Sequence, residues 1–193
     1  MEGTEPCERN VKMMKELASL AQNESDLVSL MVINLNIEHV VEVGYRDLEK
    51  VMNILKKCPY LERYYIISKF QESDLEQAKK QTSFASEVRV FLSGDVGKMI
   101  DKVSEKRIDM CIIDGPDLRS NIIGLISLYP LIKMGGFVLF SRKRLDTSAN
   151  RGSIFVIPFA EANKDKIYLY KDYYIIEKMG GAGYEFIDLT LWK

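Results

Sequence analysis

The chain is poor in the residues that build metal centres and covalent frameworks. It has one histidine, His39, and three cysteines, Cys7, Cys58 and Cys111, among 193 residues. The cysteines are odd in number and far apart, which argues against a disulfide scaffold and against a zinc site. A reducing compartment, the cytoplasm, is expected. Charge of one sign is also missing: 27 basic residues face 28 acidic ones, for a formal net charge of -1. No global attraction to nucleic acid or to an anionic membrane follows from that balance. No apolar run approaches the roughly 18 residues that a membrane-spanning helix needs. The first residues, Met1 to Glu8, are acidic and polar, unlike a signal peptide.

What is present is the balance of a soluble globular protein, 47% hydrophobic and 28% charged. Two amphipathic helices are predicted first, over Asn10 to Ala21 and Ser25 to Leu35, with Ser25 or Asp26 as the cap of the second. Strand and helix patterns then alternate. Strands are predicted at His39 to Val43, Arg63 to Ile67, Val88 to Leu92, Ile108 to Ile113 and Phe137 to Phe140. Helices are predicted between them, at Asp47 to Lys57, Ser73 to Lys80, Val96 to Val103 and Leu118 to Ile132. Short, continuous, apolar strands joined by helices are the mark of a parallel sheet buried on both faces. Ser153 to Asn163 reads as a helix interrupted by Pro158. Two further β-rich runs, Tyr168 to Glu177 and Glu185 to Trp192, flank Met179-Gly180-Gly181-Ala182-Gly183 and are predicted to form a terminal hairpin. One domain over residues 1–193 is expected, with a helical extension at 1–36 and an α/β core at 37–193.

In open α/β sheets ligands collect at the carboxyl ends of the parallel strands. The polar residues there are Glu42-Val43-Gly44, Ser68-Lys69, Ser93-Gly94-Asp95, Asp114-Gly115-Pro116-Asp117 and Ser141-Arg142. Each also has a structural explanation. Glu42 can pair at the sheet, Asp95 can cap the helix that starts at Val96, and Asp114 can belong to a turn. His39, at the start of a strand, reads as a packing or hydrogen-bonding residue. The basic run Arg142-Lys143-Arg144 reads as a solvated loop or a contact for an anionic substrate.

The ordered set Val41-Glu42-Val43-Gly44, Gly94-Asp95, Ile112-Ile113-Asp114-Gly115 and Leu131 to Phe140 resembles the class I S-adenosylmethionine-dependent methyltransferases, and among them the catechol O-methyltransferase-like branch. The resemblance implies a Rossmann-like seven-stranded, mostly parallel sheet in the order 3-2-1-4-5-7-6, with helices on both faces and strand seven antiparallel. It implies S-adenosylmethionine as cofactor, bound by Glu42, Gly44, Tyr45, Ser68, Gly94, Asp95 and Asp114. Glu42 would sit under the amino-acid end, Asp95 would accept from the adenine amino group, and Asp114 would face the methyl-transfer centre as the catalytic candidate. No metal is expected, because the fifth strand leads into a basic stretch.

Two functions are therefore carried forward. The first is a methyltransferase acting on a small molecule. The second is a catalytically inactive relative that binds a nucleoside or serves as a protein-interaction module. Tyr45-Arg46-Asp47 after a single glycine, and Ser68-Lys69 where the family carries a ribose-binding acid, point to the second. A nicotinamide-dependent oxidoreductase would need both a glycine-rich turn and that acid. The N-terminal helical pair is expected to cover the pocket or to form a homodimer contact.

Overall fold

The computed structural model describes residues 6–105, 107–141, 151–170 and 173–179. Two helices lead, α1 (Pro6–Leu20) and α2 (Glu24–Asn34). The α/β succession follows as β1 (His39–Val43), α3 (Leu48–Lys57), β2 (Arg63–Ser68), α4 (Glu72–Gln81), β3 (Arg89–Ser93), α5 (Val96–Ile100), β4 (Ile108–Ile113), α6 (Leu118–Leu128) and β5 (Ile132–Ser141). Helix α7 (Arg151–Ala162) and the strands β6 (Lys166–Tyr170) and β7 (Tyr173–Glu177) complete it.

The seven strands form one sheet in the order β3-β2-β1-β4-β5-β7-β6. Strands β1 to β5 pair in parallel, and β7 is antiparallel to both β5 and β6. The predicted order therefore holds.

Alternation along the strands divides two cores. Val40, Tyr64, Ile66, Met110, Ile112, Phe137 and Leu139 face the layer of α1, α2 and α3. Val41, Val43, Tyr65, Ile67, Cys111, Ile113, Val138 and Phe140 face the opposite core, with Leu125, Phe155 and Phe159. Strand side chains alternate between faces, so every second residue joins the same core. Burying one Val, Leu, Ile or Phe fully contributes about 1.5–3 kcal/mol. Both faces need apolar residues because both are covered, which is why the strands read as continuous hydrophobic runs. Glu42 is the exception. It shares the parity of Val40 and so points toward α2 and α3 with 1% of its surface exposed.

Several boundaries differ from the sequence expectation. Helix α2 starts at Glu24, and its cap is Asn23, whose side chain accepts from the Asp26 amide at 3.0 Å. Ser25 instead donates to that same Asn23 oxygen, at 2.8 Å. Helix α4 starts at Glu72, so Ser73 lies inside the first turn and does not cap it. Helix α5 stops at Ile100 and α6 at Leu128, where Pro130 falls in a short 3-10 turn over Tyr129–Leu131. Strand β5 begins five residues earlier than expected, and the register slips between Ile108 and Met110 to admit the Gly135-Gly136 segment.

The first arm of the predicted terminal hairpin is divided between two strands. These two strands, Lys166–Tyr170 and Tyr173–Glu177, both come from the run 166–177 and pair antiparallel. The run Tyr168 to Glu177 was expected to be one hairpin arm and supplies parts of both. Met179 is described, but the glycines at 180, 181 and 183 and the second predicted arm, 185–192, lie outside the described residues. Arg142, Lys143 and Arg144 do so too.

Candidate functional site

The order of strands reverses between β1 and β4, the switch point at whose carboxyl edge open α/β sheets bind their ligands. The floor of this switch point is tightly built. The Asp114 amide donates to the Val43 carbonyl at 2.8 Å, and the Gly44 amide donates to the Ile67 carbonyl at 2.8 Å. Gly44 has φ +99°, and a Cβ on it would lie 2.2 Å from the Asp114 carbonyl oxygen. Glycine is required on both counts, a backbone angle that L residues avoid and a gap that only a hydrogen fits. The close approach made possible by Gly44 is thus to the β4–α6 loop. That loop is pinned in turn by Asn121, whose Oδ1 accepts from the Gly115 amide at 2.7 Å, while Asp117 caps α6 by accepting from the Ser120 amide at 2.7 Å. Asp114 itself is 1% exposed.

Beside this floor lies a buried ionic network. Lys50 falls on the buried stripe of α3 with Val51, Ile54 and Leu55. Its Nζ donates to Glu42 Oε1 at 2.8 Å and also to Glu24 of α2. The Tyr64 hydroxyl donates to Glu42 Oε2, and the Tyr173 hydroxyl donates to Glu24 Oε2 at 3.1 Å. Arg46 closes the outer side, with its guanidinium 3.5 Å from Glu24 Oε2. Burial pushes the Glu42 carboxyl above its ordinary range, and the neighbouring Glu24 charge adds to that, against the pull of Lys50. Burial works against the Lys50 ammonium, yet the two carboxylates outweigh it and hold its pKa above the usual lysine value. The lysine stays charged while two carboxylates share it.

Toward β2 and β3 the edge is aromatic. Tyr45 packs on Phe70 with ring centroids 4.9 Å apart, and Phe70 meets Phe91 edge-on at 5.6 Å. Ser68 and Ser93 end their strands in register with one another. Asp95 is exposed and caps α5, with its Oδ1 accepting from the Gly97 amide at 3.1 Å. The Asp95 carboxylate therefore has the capping role that its sequence position suggested, at a point where a ligand can still reach it.

On the other side of the ionic network a cleft of about 410 Å³ opens between the α1–α2 turn, the start of α3 and the ends of β5 and β7. Arg46, Asp47, Asn53, Glu24, Ser141 and Tyr173 are in its wall. Glu42, Gly44, Tyr45, Ser68, Gly94, Asp95 and Asp114 are not. Tyr173 joins the cleft to the ionic network through its hydrogen bond to Glu24. Burial first, then the charge and hydrogen bond of Glu24, raise its phenol pKa.

His39 stands at the opposite, amino end of β1. Its ring lies 3.5 Å from Glu62 and 3.6 Å from Asp109, and Asp109 accepts the Glu38 and His39 amides at 2.8 and 2.7 Å. Among the described residues, Glu38, His39 and Asp109 are the one group whose ligand atoms come within 4.8 Å of each other. The Lys133 ammonium already pairs with Asp109 there, so a cation would meet a cation.

No family model and no curated protein matches the sequence. Solved structures do. A provisionally assigned caffeoyl-CoA O-methyltransferase from Staphylococcus aureus superposes with a TM-score of 0.63 at 16% identity, over 89% of this chain and 91% of that one. The fold is that of the class I methyltransferases. The O-methyltransferase TomG from Streptomyces achromogenes, solved with S-adenosylmethionine, shares it with a TM-score of 0.60 at 16% identity, over 93% and 92% of the two chains. So does an rRNA methylase from Streptococcus thermophilus, with a TM-score of 0.57 at 13% identity, over 93% and 99%. Within this methyltransferase fold the sequence reading placed the strand-end residues, but it did not single out Lys50, Tyr64 or Glu24. Lys50 carried a signal, since its helical spacing puts it on the apolar stripe of α3.

Proposed function

We propose that this chain is an S-adenosylmethionine-dependent methyltransferase that acts on a small molecule. The observation that carries the reading is the methyltransferase-type sheet order with its switch point between β1 and β4, together with a polar cleft of about 410 Å³ beside Lys50 and Tyr173. A cleft of that size suits a small acceptor. The balanced charge of the chain argues against a polynucleotide substrate.

The nucleoside half of the cofactor fits the residues present. Asp95 offers an exposed carboxylate to the adenine amino group, Gly94 and Ser68 line the strand ends, and the Tyr45–Phe70 pair offers an apolar wall. The amino-acid half does not fit at Glu42, because Lys50 and Tyr64 hold that carboxylate. When bound, the cofactor supplies a methyl group on a sulfonium, activated for displacement. The chain then has to align the acceptor and exclude water, which is worth more in such a transfer than acid–base chemistry. Asp114, buried at the end of β4, is the residue we assign to the transfer centre. A cytoplasmic setting is supported by the buried free thiols of Cys58 and Cys111.

Calorimetric titration with S-adenosylmethionine and S-adenosylhomocysteine tests the reading, followed by transfer of labelled methyl to a panel of small hydroxyl and amine acceptors. Micromolar binding with turnover supports it. Binding of nucleoside without transfer to any acceptor would favour the inactive nucleoside-binding alternative, and no binding of either compound overturns the proposal.

A further inference from the structure

Glu24, Glu42, Lys50 and Arg46 form a closed charge account: two carboxylates and two cations, with Lys50 at its centre. Three of the four are buried, with 7%, 1% and 5% exposure for Glu24, Glu42 and Lys50. Both oxygens of Glu42 are engaged, one by the Lys50 ammonium and the other by the fully buried Tyr64 hydroxyl. A ligand ammonium arriving at Glu42 would be a third cation for two carboxylates. It would also have to displace an amine that the chain itself holds in place, with no loss of translational entropy to repay. Buried charge without a partner is strongly disfavoured.

We propose that Lys50 is the resident cation of the strand-one carboxylate and the specificity-determining residue at the amino-acid end of the site. It takes the place of a ligand ammonium, so adenosyl compounds are held through their nucleoside half and gain nothing from an amino-acid tail at Glu42. The ligand class that follows is the adenosine thioether as such, with or without the tail. Glu42 is a positioning residue. Through Lys50 it fastens Glu24, and with it the N-terminal helical pair, to the sheet beside the cleft. This inference rests on the methyltransferase reading for its ligand and on the geometry for its ion pair.

The test compares S-adenosylhomocysteine with 5′-methylthioadenosine, the same nucleoside thioether without the amino-acid group, by calorimetry on the full chain. The dissociation constants are expected to agree within about threefold, and Glu42→Gln is expected to leave both within about threefold. S-adenosylhomocysteine binding more than about tenfold tighter than methylthioadenosine, with that advantage lost in Glu42→Gln, would overturn the proposal. Thermal melts supply a readout that needs no ligand. Lys50→Met should lower the melting temperature by about 10 °C, and adding Glu42→Gln to it should restore a substantial part of that loss, because the orphaned carboxylate is gone. Simple addition of the two losses would show that the residues do not act as a pair, and would also overturn it. If the melts show the pair but neither nucleoside binds, the methyltransferase reading falls and the ligand half of the inference falls with it. Equal binding of both compounds supports the two together.

Discussion

Lys50 Nζ lies 2.8 Å from Glu42 Oε1, with each side chain almost fully withdrawn from water. The pair joins the first helix of the α/β core to the first strand at the switch point of the sheet. Burying two charges is costly and is tolerated because every oxygen of Glu42 has a donor. Tyr64→Phe removes one of those donors without changing shape. It is expected to cost about 1.5–3 kcal/mol, the range for a hydrogen bond to a charged group, in urea unfolding.

Alkaline pH should weaken the fold through the same network. In the unfolded chain Tyr64 and Tyr173 titrate near 10.0 and Lys50 near 10.5, and all three are raised in the folded state. For the tyrosines the cause is burial first and then the nearby carboxylates. For Lys50 the carboxylates prevail over burial. A raised folded pKa contributes stability below the unfolded value and loses it as pH rises toward the folded one. The melting temperature is therefore expected to fall steeply from about pH 10 upward. Lys50→Met should make that fall shallower, and an unchanged slope would remove Lys50 from the explanation.

Gly44→Ala tests the floor of the switch point. The added Cβ meets the Asp114 carbonyl, and φ +99° strains any L residue. A loss of about 2–4 kcal/mol is expected in chemical unfolding, together with weaker nucleoside binding as the Asp114–Gly115 loop moves.

Asp95→Ala separates a cap from a contact. Losing the cap on so short a helix as α5 should cost about 1 kcal/mol or less of stability. Losing the adenine contact should weaken adenosyl binding by about tenfold. Titration of the variant with S-adenosylhomocysteine checks this, and an unchanged affinity would remove Asp95 from the site.

Asp109→Ala acts at the far end of the sheet. It leaves the amides of Glu38 and His39 and the Lys133 ammonium without their acceptor. A loss of about 2–4 kcal/mol is expected, with nucleoside affinity unchanged, as a paired melt and titration would show.

The sheet was legible because its strands are short apolar runs between helical patterns, and His39–Val43 and Ile108–Ile113 fall where the residues place them. The terminal hairpin was less so. A β-favouring run of ten residues does not reveal that it supplies two antiparallel strands. In the site, residues at strand ends could be read from position alone. For Lys50 the helical spacing marks a place on the apolar stripe but not its burial, because a charged side chain on a helix is ordinarily solvated. Its burial depends on Glu24 and Glu42, which are 26 and 8 residues away. Such a group becomes visible only when three elements are assembled.

The two leading helices set where this molecule can be cut. Sequence composition suggests a natural join at residues 36–37, just before β1. Yet Leu27, Val28 and Met31 of α2 are in the core shared with Val40, Ile54 and Ile112, and Glu24 supplies half of the Lys50 coordination. A chain trimmed to residue 37 would present that apolar face to water and leave a lysine facing a single carboxylate. For expression, crystallisation or fusion, the minimal unit has to include α2 and the part of α1 that carries Met14, Leu17 and Ala18, which are in the same core.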